Sequence, residues 1–206
     1  MKIKFLVAAA ALVLVGTGSP VAYAALTANS TLTQSITAGT ISTDVRNASN
    51  AVVSSPSFAL AARTVSTSQQ STTGTFGESA QRISVDNPGG ANNGWTLALN
   101  SVTPATDRWT SGGNTYLYNG TASTGQLTVN ANAGTITPLA GTATGVTKGA
   151  STAFSGVTPV TILDAAASSD DILNLYITGV TLSQTIPANT PAGSYSLTMV
   201  QTLTTK

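Results

Sequence analysis

Cysteine and histidine are both missing from this 206-residue sequence, and only 7% of its residues are charged. Without them the chain has no thiolate nucleophile, no Ser-His or Cys-His pair, and no imidazole or thiolate to bind a metal ion. Its eight Lys and Arg residues are too few for the basic surface that nucleic-acid binding requires. These absences exclude most enzyme classes and any nucleic-acid partner.

Hydroxyl side chains take the place of the missing charges. Ser and Thr together number 59, and 41% of the residues are hydrophobic. Disordered chains combine low hydrophobicity with a high net charge, whereas this chain has a net charge of +1. The composition therefore predicts a folded protein whose surface offers hydroxyls and amides to water, which suits an extracellular setting.

Residues 1–24 have the pattern of a bacterial secretory signal peptide. Two lysines precede an apolar stretch over residues 5–15, and the segment ends on the small-residue motif A-Y-A. The apolar stretch is much shorter than the ~20 residues that span a bilayer. We therefore expect cleavage after Ala24, which leaves a secreted, extracellular or cell-surface mature chain of residues 25–206 without a membrane span.

Apolar residues recur with a period of two in short runs, and clusters of Gly, Asn, Pro and Ser separate these runs, as is typical of β-strands. Residues 146–155 are predicted to form a surface loop, and residues 165–172 can form a short helix. The predicted strands are residues 33–46, 57–66, 81–87, 94–102, 115–118, 126–130, 135–139, 160–163, 173–184 and 193–204.

Alternation is clearest in the last strand, where Tyr195, Leu197, Met199, Gln201 and Leu203 share one face and mostly hydroxyl residues share the other. Strands with one apolar face need a second layer to cover it. The sequence therefore predicts an all-β fold, a single domain over residues 25–206. Its expected architecture is an antiparallel β-sandwich, Ig-like or jelly-roll-like, of about ten strands.

Seven Asp and Glu residues remain as candidates for acid-base chemistry or calcium binding. Only Asp170 and Asp171 are adjacent, and neighbouring side chains in a strand point to opposite faces, which does not suit a glycosidase. The chain also lacks the spaced Asp ladder of a calcium loop. We predict no catalytic residue, no cofactor and no metal ion. The sequence leaves open one question, whether a calcium ion binds near Asp164, Asp170 and Asp171.

Three short motifs follow one another along the mature chain: T-A-G-T-I at residues 37–41, G-W-T-L at 94–97 after a turn-rich segment, and A-G-S-Y at 192–195. In these motifs and their order, the chain resembles the WxL family of bacterial surface domains. The first W-x-L is present as Trp95-Thr96-Leu97, whereas the second position reads Gln201-Thr202-Leu203.

The resemblance implies a non-catalytic domain outside a Gram-positive-like cell, held non-covalently to peptidoglycan or to partner surface proteins. It also implies binding roles for the motif residues Trp95, Leu97, Gln201 and Leu203. From the residues themselves, we expect Trp95 to pack in the core. Trp109, beside a Gly-rich turn, is the better candidate for an exposed contact.

The alternative function is that of a self-assembling extracellular fibre or pilus-like subunit. Residues 25–35 are rich in hydroxyls and alternate weakly, as in subunits whose terminal strand completes the sheet of a neighbour. The S-I-T-A-G-T-I motif at residues 35–41 is similar to the matching part of biofilm-matrix fibre proteins of the TasA and camelysin type. Scarce charge at strand edges favours such lateral association.

Overall fold

The computed structural model describes residues 30–90, 93–167, 169 and 172–206. The chain divides into two units, Met1–Ile36 and Thr37–Lys206. In the first unit, the described residues 30–36 belong to no helix or strand.

Within the described residues, the second unit contains fourteen β-strands and a one-turn 3₁₀ helix, Ala131–Ala133. The all-β prediction is confirmed, with fourteen strands instead of about ten. The strands are β1 (Ser42–Arg46), β2 (Gln70–Phe76), β3 (Arg82–Asn87), β4 (Trp95–Ser101), β5 (Trp109–Ser111), β6 (Asn114–Tyr116), β7 (Gln126–Asn130), β8 (Thr135–Ala140), β9 (Val146–Lys148), β10 (Ser151–Ala153), β11 (Val160–Ala165), β12 (Leu173–Thr178), β13 (Val180–Ile186) and β14 (Met199–Thr205).

Three four-stranded antiparallel sheets and the β5-β6 hairpin pack together as a sandwich. The first sheet has the strand order β1-β3-β12-β8, the second β10-β7-β13-β2, and the third β14-β4-β11-β9. The predicted antiparallel sandwich is therefore confirmed.

Three stretches of chain pass from one of the first two sheets to the other, and each stretch supplies one strand to each sheet. β2 leads into β3, β7 into β8 and β12 into β13, so the order β3-β12-β8 in one sheet matches the order β2-β13-β7 in the other. At the β12–β13 junction, Gly179 has a φ of +78°, which L-residues rarely adopt, and its N–H donates to the Gly77 carbonyl oxygen at 2.7 Å. The single strand predicted over residues 173–184 is wrong because this glycine passes the chain from one sheet to the next.

The core forms where the inward faces of the three sheets meet. On β4, Trp95, Leu97 and Leu99 are buried and alternate with half-buried residues, as the sequence predicts. The predicted alternation also holds along β14, but Gln201 and Leu203 are only half-buried there. The difference arises because β14 is an outer strand, whereas β4 has a neighbour on each side.

The strand predicted over residues 57–66 is wrong. These residues run beside β2 and share with it only one isolated bridge, between Leu60 and Gly74. A Cβ at Gly74 would lie 2.6 Å from the Ala59 carbonyl oxygen, so the close approach requires glycine. The sequence does not predict β2 itself, because Thr72 and this glycine stand where an apolar row is expected.

Residues 146–155 are not a surface loop. They contain β9 and β10, and Phe154 is fully buried; hydroxyl residues at the strand positions hide the alternation. The short strand β5 is likewise missed by the sequence. In the helix expected over 165–172, Ala165 ends β11 and the other described residues form no helix, while Ser168, Asp170 and Asp171 lie outside the described residues.

Candidate functional site

A groove of about 980 Å³ opens between the second and third sheets. Its floor is the inward face of β2 and β13, which includes Thr72 and Gln184, and the opposite wall is β14, which includes Met199 and Gln201. Both β2 and β14 are outer strands of their sheets. The groove therefore follows the side of the sandwich where both sheets end.

Residues 56–66 are called the cover segment below, and all of them except Ala62 line the groove beside β2. The Phe58 ring packs edge-on against Phe76 with the ring centroids 4.8 Å apart. The Ala61 N–H donates to the Thr73 carbonyl oxygen at 2.8 Å. Most other residues of the segment are exposed, but further hydrogen bonds join Ser57 to the Gln81 side chain and the Ser66 carbonyl oxygen to the Asn189 N–H.

Three aromatic rings gather at one part of the groove. Trp109 stacks on Tyr116 with the centroids 6.1 Å apart and an interplanar angle of 18°, and Tyr116 meets Tyr195 at 5.1 Å. Burial, and after it the nearby Tyr195, raise the pKa of Tyr116 to about 12. The Tyr116 phenol therefore stays neutral at physiological pH, and the cluster offers apolar ring faces without charge.

The fully buried side chain of Gln184 fixes the position of this cluster. Its Oε1 accepts a hydrogen bond from the Trp109 indole Nε1 at 2.8 Å. Its Nε2 donates to the carbonyl oxygens of Thr185, at 2.7 Å, and Leu117, at 3.3 Å. Sequence reasoning misses Gln184, although an amide that interrupts the apolar face of Val180, Leu182 and Ile186 is the signal that identifies it.

The structure brings two of the five candidate residues to the groove. Trp109 and Gln201 line it, whereas Trp95 and Leu97 are buried in the core at 1% and 0% exposure. Leu203 packs against that core and pairs with Leu97 across β14 and β4. The two W-x-L positions thus meet only at their leucines, because Trp95 pairs with Thr205 and Gln201 with Leu99.

Gln201 links β14 to the first sheet. Its Nε2 donates to the Thr43 hydroxyl at 3.0 Å, and that hydroxyl donates to the Ser84 carbonyl oxygen at 2.8 Å. The Gln201 amide is half-buried and hydrogen-bonded. The packing at position 201 therefore does not require the aromatic side chain that a W-x-L motif would place there.

Among the described residues that line the groove, the one charged side chain is Arg63, and there is no carboxylate. No group of three or more potential metal-binding residues occurs in the described part of the chain. Asp164 accepts hydrogen bonds at 2.8 Å from Thr96 and from Lys206, and the Lys206 ammonium holds the pKa of its carboxyl below the usual range. The other residues of the calcium candidate, Asp170 and Asp171, lie outside the described residues.

The segment of residues 30–36 carries two exposed apolar side chains. Leu32 and Ile36 have 93% and 90% of their surface exposed. They have the same parity in sequence, and no residue between them is charged. Contact with another molecule would remove this apolar surface from water.

No helix in the described ranges is long and apolar enough to span a membrane.

Comparison with protein-family models found no match, and neither the curated proteins nor the solved structures gave a significant match. The resemblances to the WxL family and to the TasA and camelysin type therefore stay predictions.

Proposed function

We propose that the mature chain is an exported, non-catalytic structural protein of the cell surface whose copies assemble by exchanging a terminal strand. The single observation that carries this proposal is the exposure of Leu32 and Ile36, at 93% and 90%, in a segment with no strand partner among the described residues. Burying such side chains contributes about 1.5–3 kcal/mol each. Assembly of copies would bury both side chains, and it requires no catalytic residue.

The composition supports the same proposal. The signal peptide predicted over residues 1–24 would direct the chain out of the cell, and the sparse charge of the chain weakens the repulsion that keeps strand edges apart. Because the chain has no cysteine, disulfides cannot join the copies. Main-chain hydrogen bonds between strands are a connection that needs no cysteine.

Electron microscopy and sedimentation velocity of the purified mature chain test the proposal. We expect filaments or a ladder of oligomers from the unmodified chain and monomers from the double variant Leu32→Lys, Ile36→Lys. The matched control is Val102→Lys with Val157→Lys, since these valines are also exposed, at 62% and 58%, but lie outside the segment. An unmodified chain that stays monomeric at every concentration contradicts self-assembly.

A second candidate function is attachment to the envelope through the aromatic part of the groove. Trp109, Tyr116 and Tyr195 favour it, because stacked ring faces beside an open groove are suited to a ligand with apolar faces, such as a wall polysaccharide. Here the partner is peptidoglycan or another surface protein.

Co-sedimentation with peptidoglycan sacculi tests this candidate. Trp109→Ala should lower the bound fraction, whereas Tyr176→Ala, which removes a ring packed on Arg82 outside the groove, should not. Equal binding by both variants, or no binding by the unmodified chain, excludes the groove as a wall-binding site.

A further inference from the structure

The outer strands of the three large sheets are open to pairing with another chain unless something prevents it. Each outer strand leaves a row of N–H and C=O groups on one side, and proteins block these rows with charges, proline, short strands or covering segments. The outer strands are β1 and β8 in the first sheet, β10 and β2 in the second, and β9 and β14 in the third.

Five of these six strands carry a recognisable block. β1 contains the ion pair of Asp44 and Arg46 at 2.9 Å, β8 contains Pro138, and β9 ends on Lys148. β10 is only three residues long. β2 is covered by the cover segment through the Ala61–Thr73 hydrogen bond and the Leu60–Gly74 bridge.

β14 has none of these blocks. Its seven residues, M-V-Q-T-L-T-T, include no charge and no proline. Among the described residues its strand partner is β4, on one side. β1 also lies close to β14, where the Gln201 side chain donates to the Thr43 hydroxyl, but the two strands belong to different sheets and do not pair through their main chains. A long, neutral edge therefore borders the groove.

We propose that the free edge of β14 binds residues 30–36 of a second copy as an added strand. This inference rests on the proposed self-assembly and names its contact surface. Residues 30–36 match the seven residues of β14 in length, about 23 Å of strand. Residues 30–36 and β14 are both free of charge and proline, so no repulsion or missing N–H opposes pairing.

The parity of the added strand fits the groove. Because strand side chains alternate between faces, Leu32 and Ile36 point to the same face. When that is the face of Met199 and Gln201, both side chains enter the groove of about 980 Å³ together with Gln34 between them, while Thr31, Thr33 and Ser35 face water. The pairing thus buries the two most exposed large hydrophobic residues of the described chain.

Cysteine crosslinking tests this surface directly, since the chain has no cysteine of its own. Full mature chains with Thr202→Cys on β14 are oxidised with chains that carry a single cysteine at position 31, 33 or 35. We expect at least one mixed pair to form disulfide dimers, about tenfold more than with Thr181→Cys. Thr181 is an exposed residue of the inner strand β13 and gives the matched control. Equal dimer formation at both positions, or none at Thr202→Cys, overturns the inference.

A second arm separates this inference from self-assembly itself. A synthetic peptide of residues 30–38 with one cysteine is oxidised with the full Thr202→Cys chain. If the peptide crosslinks while the chain forms no filaments, the β14 surface is upheld and self-assembly fails. If filaments form but neither peptide nor chain crosslinks at position 202, self-assembly is upheld and the β14 surface is wrong.

Lysine substitutions on the edge of β14 test whether this edge is needed for assembly. Val200 is 42% exposed and Thr202 is exposed on the same face, so lysines at both positions should leave the fold intact. We expect Val200→Lys with Thr202→Lys to abolish assembly and Thr181→Lys to preserve it. Unchanged assembly of the double variant, with unchanged thermal unfolding, contradicts the inference.

Discussion

β8 and β14 are outer strands of similar length in the same sandwich, yet only one of them is blocked. β8 has six residues and carries Pro138, which has no N–H to offer to another strand. β14 has seven residues without proline or charge, and it borders the groove. The comparison teaches that sparse charge alone does not open an edge, because proline, a short strand and a covering segment block three of the outer strands, and charged residues block only two.

The largest expected effect distinguishes an inner strand from the outer strand beside it. Leu97 on β4 and Leu203 on β14 pair directly, but the first is fully buried and the second half-buried. We expect Leu97→Ala to lower the free energy of unfolding by about 2–5 kcal/mol and Leu203→Ala by less than half as much. Chemical denaturation measures both, and equal losses would mean that β14 is packed as an inner strand.

A smaller effect is expected at Gln201, which connects β14 to Thr43. Gln201→Ala should destabilise the monomer by about 0.5–1.5 kcal/mol, because one hydrogen bond is lost. Gln201→Trp should be tolerated, since the groove beside it has room for the ring. Thermal unfolding checks both changes, and a large loss with Trp would show that the amide has further buried partners.

Removing a block should convert a closed edge into an open one. Pro138→Thr restores an N–H on the exposed β8 strand, and we expect its effect on unfolding to stay within about 0.5 kcal/mol. Self-association should increase, and it should persist when β14 carries the Val200→Lys and Thr202→Lys changes. Sedimentation velocity decides, and a strictly monomeric triple variant would show that the proline does not block this edge.

The smallest expected effect concerns the end of β14. The pKa of the Asp164 carboxyl is lowered by Lys206, and that stabilisation is fully present above the ordinary pKa of an aspartate and is lost as the pH falls through the lowered value. Both side chains are 42% exposed, so the effect on unfolding is slight. The unmodified chain should be slightly more stable than Asp164→Asn at neutral pH, and acid titration should show this difference disappear as the pH falls through the lowered pKa.

The sequence predicts those parts of the fold in which one face of a strand is apolar. Trp95, Leu97 and Leu99 define β4, and the parity of β14 is correct, because burial selects large apolar side chains at alternate positions. The sequence does not predict β2 and β10, because Thr, Ser and Gly stand where apolar side chains would otherwise alternate. Without that alternation, β-propensity alone does not identify a strand.

The site is predicted less completely than the fold. Trp109 and Gln201 are candidates from the sequence and both line the groove, but their binding role stays a prediction. The role of Gln184 depends on Trp109, which is 75 positions away in the chain, and no local pattern reveals such a contact. The groove itself arises from the separation of β2 and β14, which only the tertiary arrangement determines.

Hydrogen–deuterium exchange of the assembled and monomeric mature chain tests the central claim most directly. The account predicts that assembly slows exchange in residues 30–36 and on β14, while β1, β8 and β9 exchange at the same rate in both states. Protection at one of those blocked edges, or unchanged exchange along β14 in the assembled protein, would contradict it.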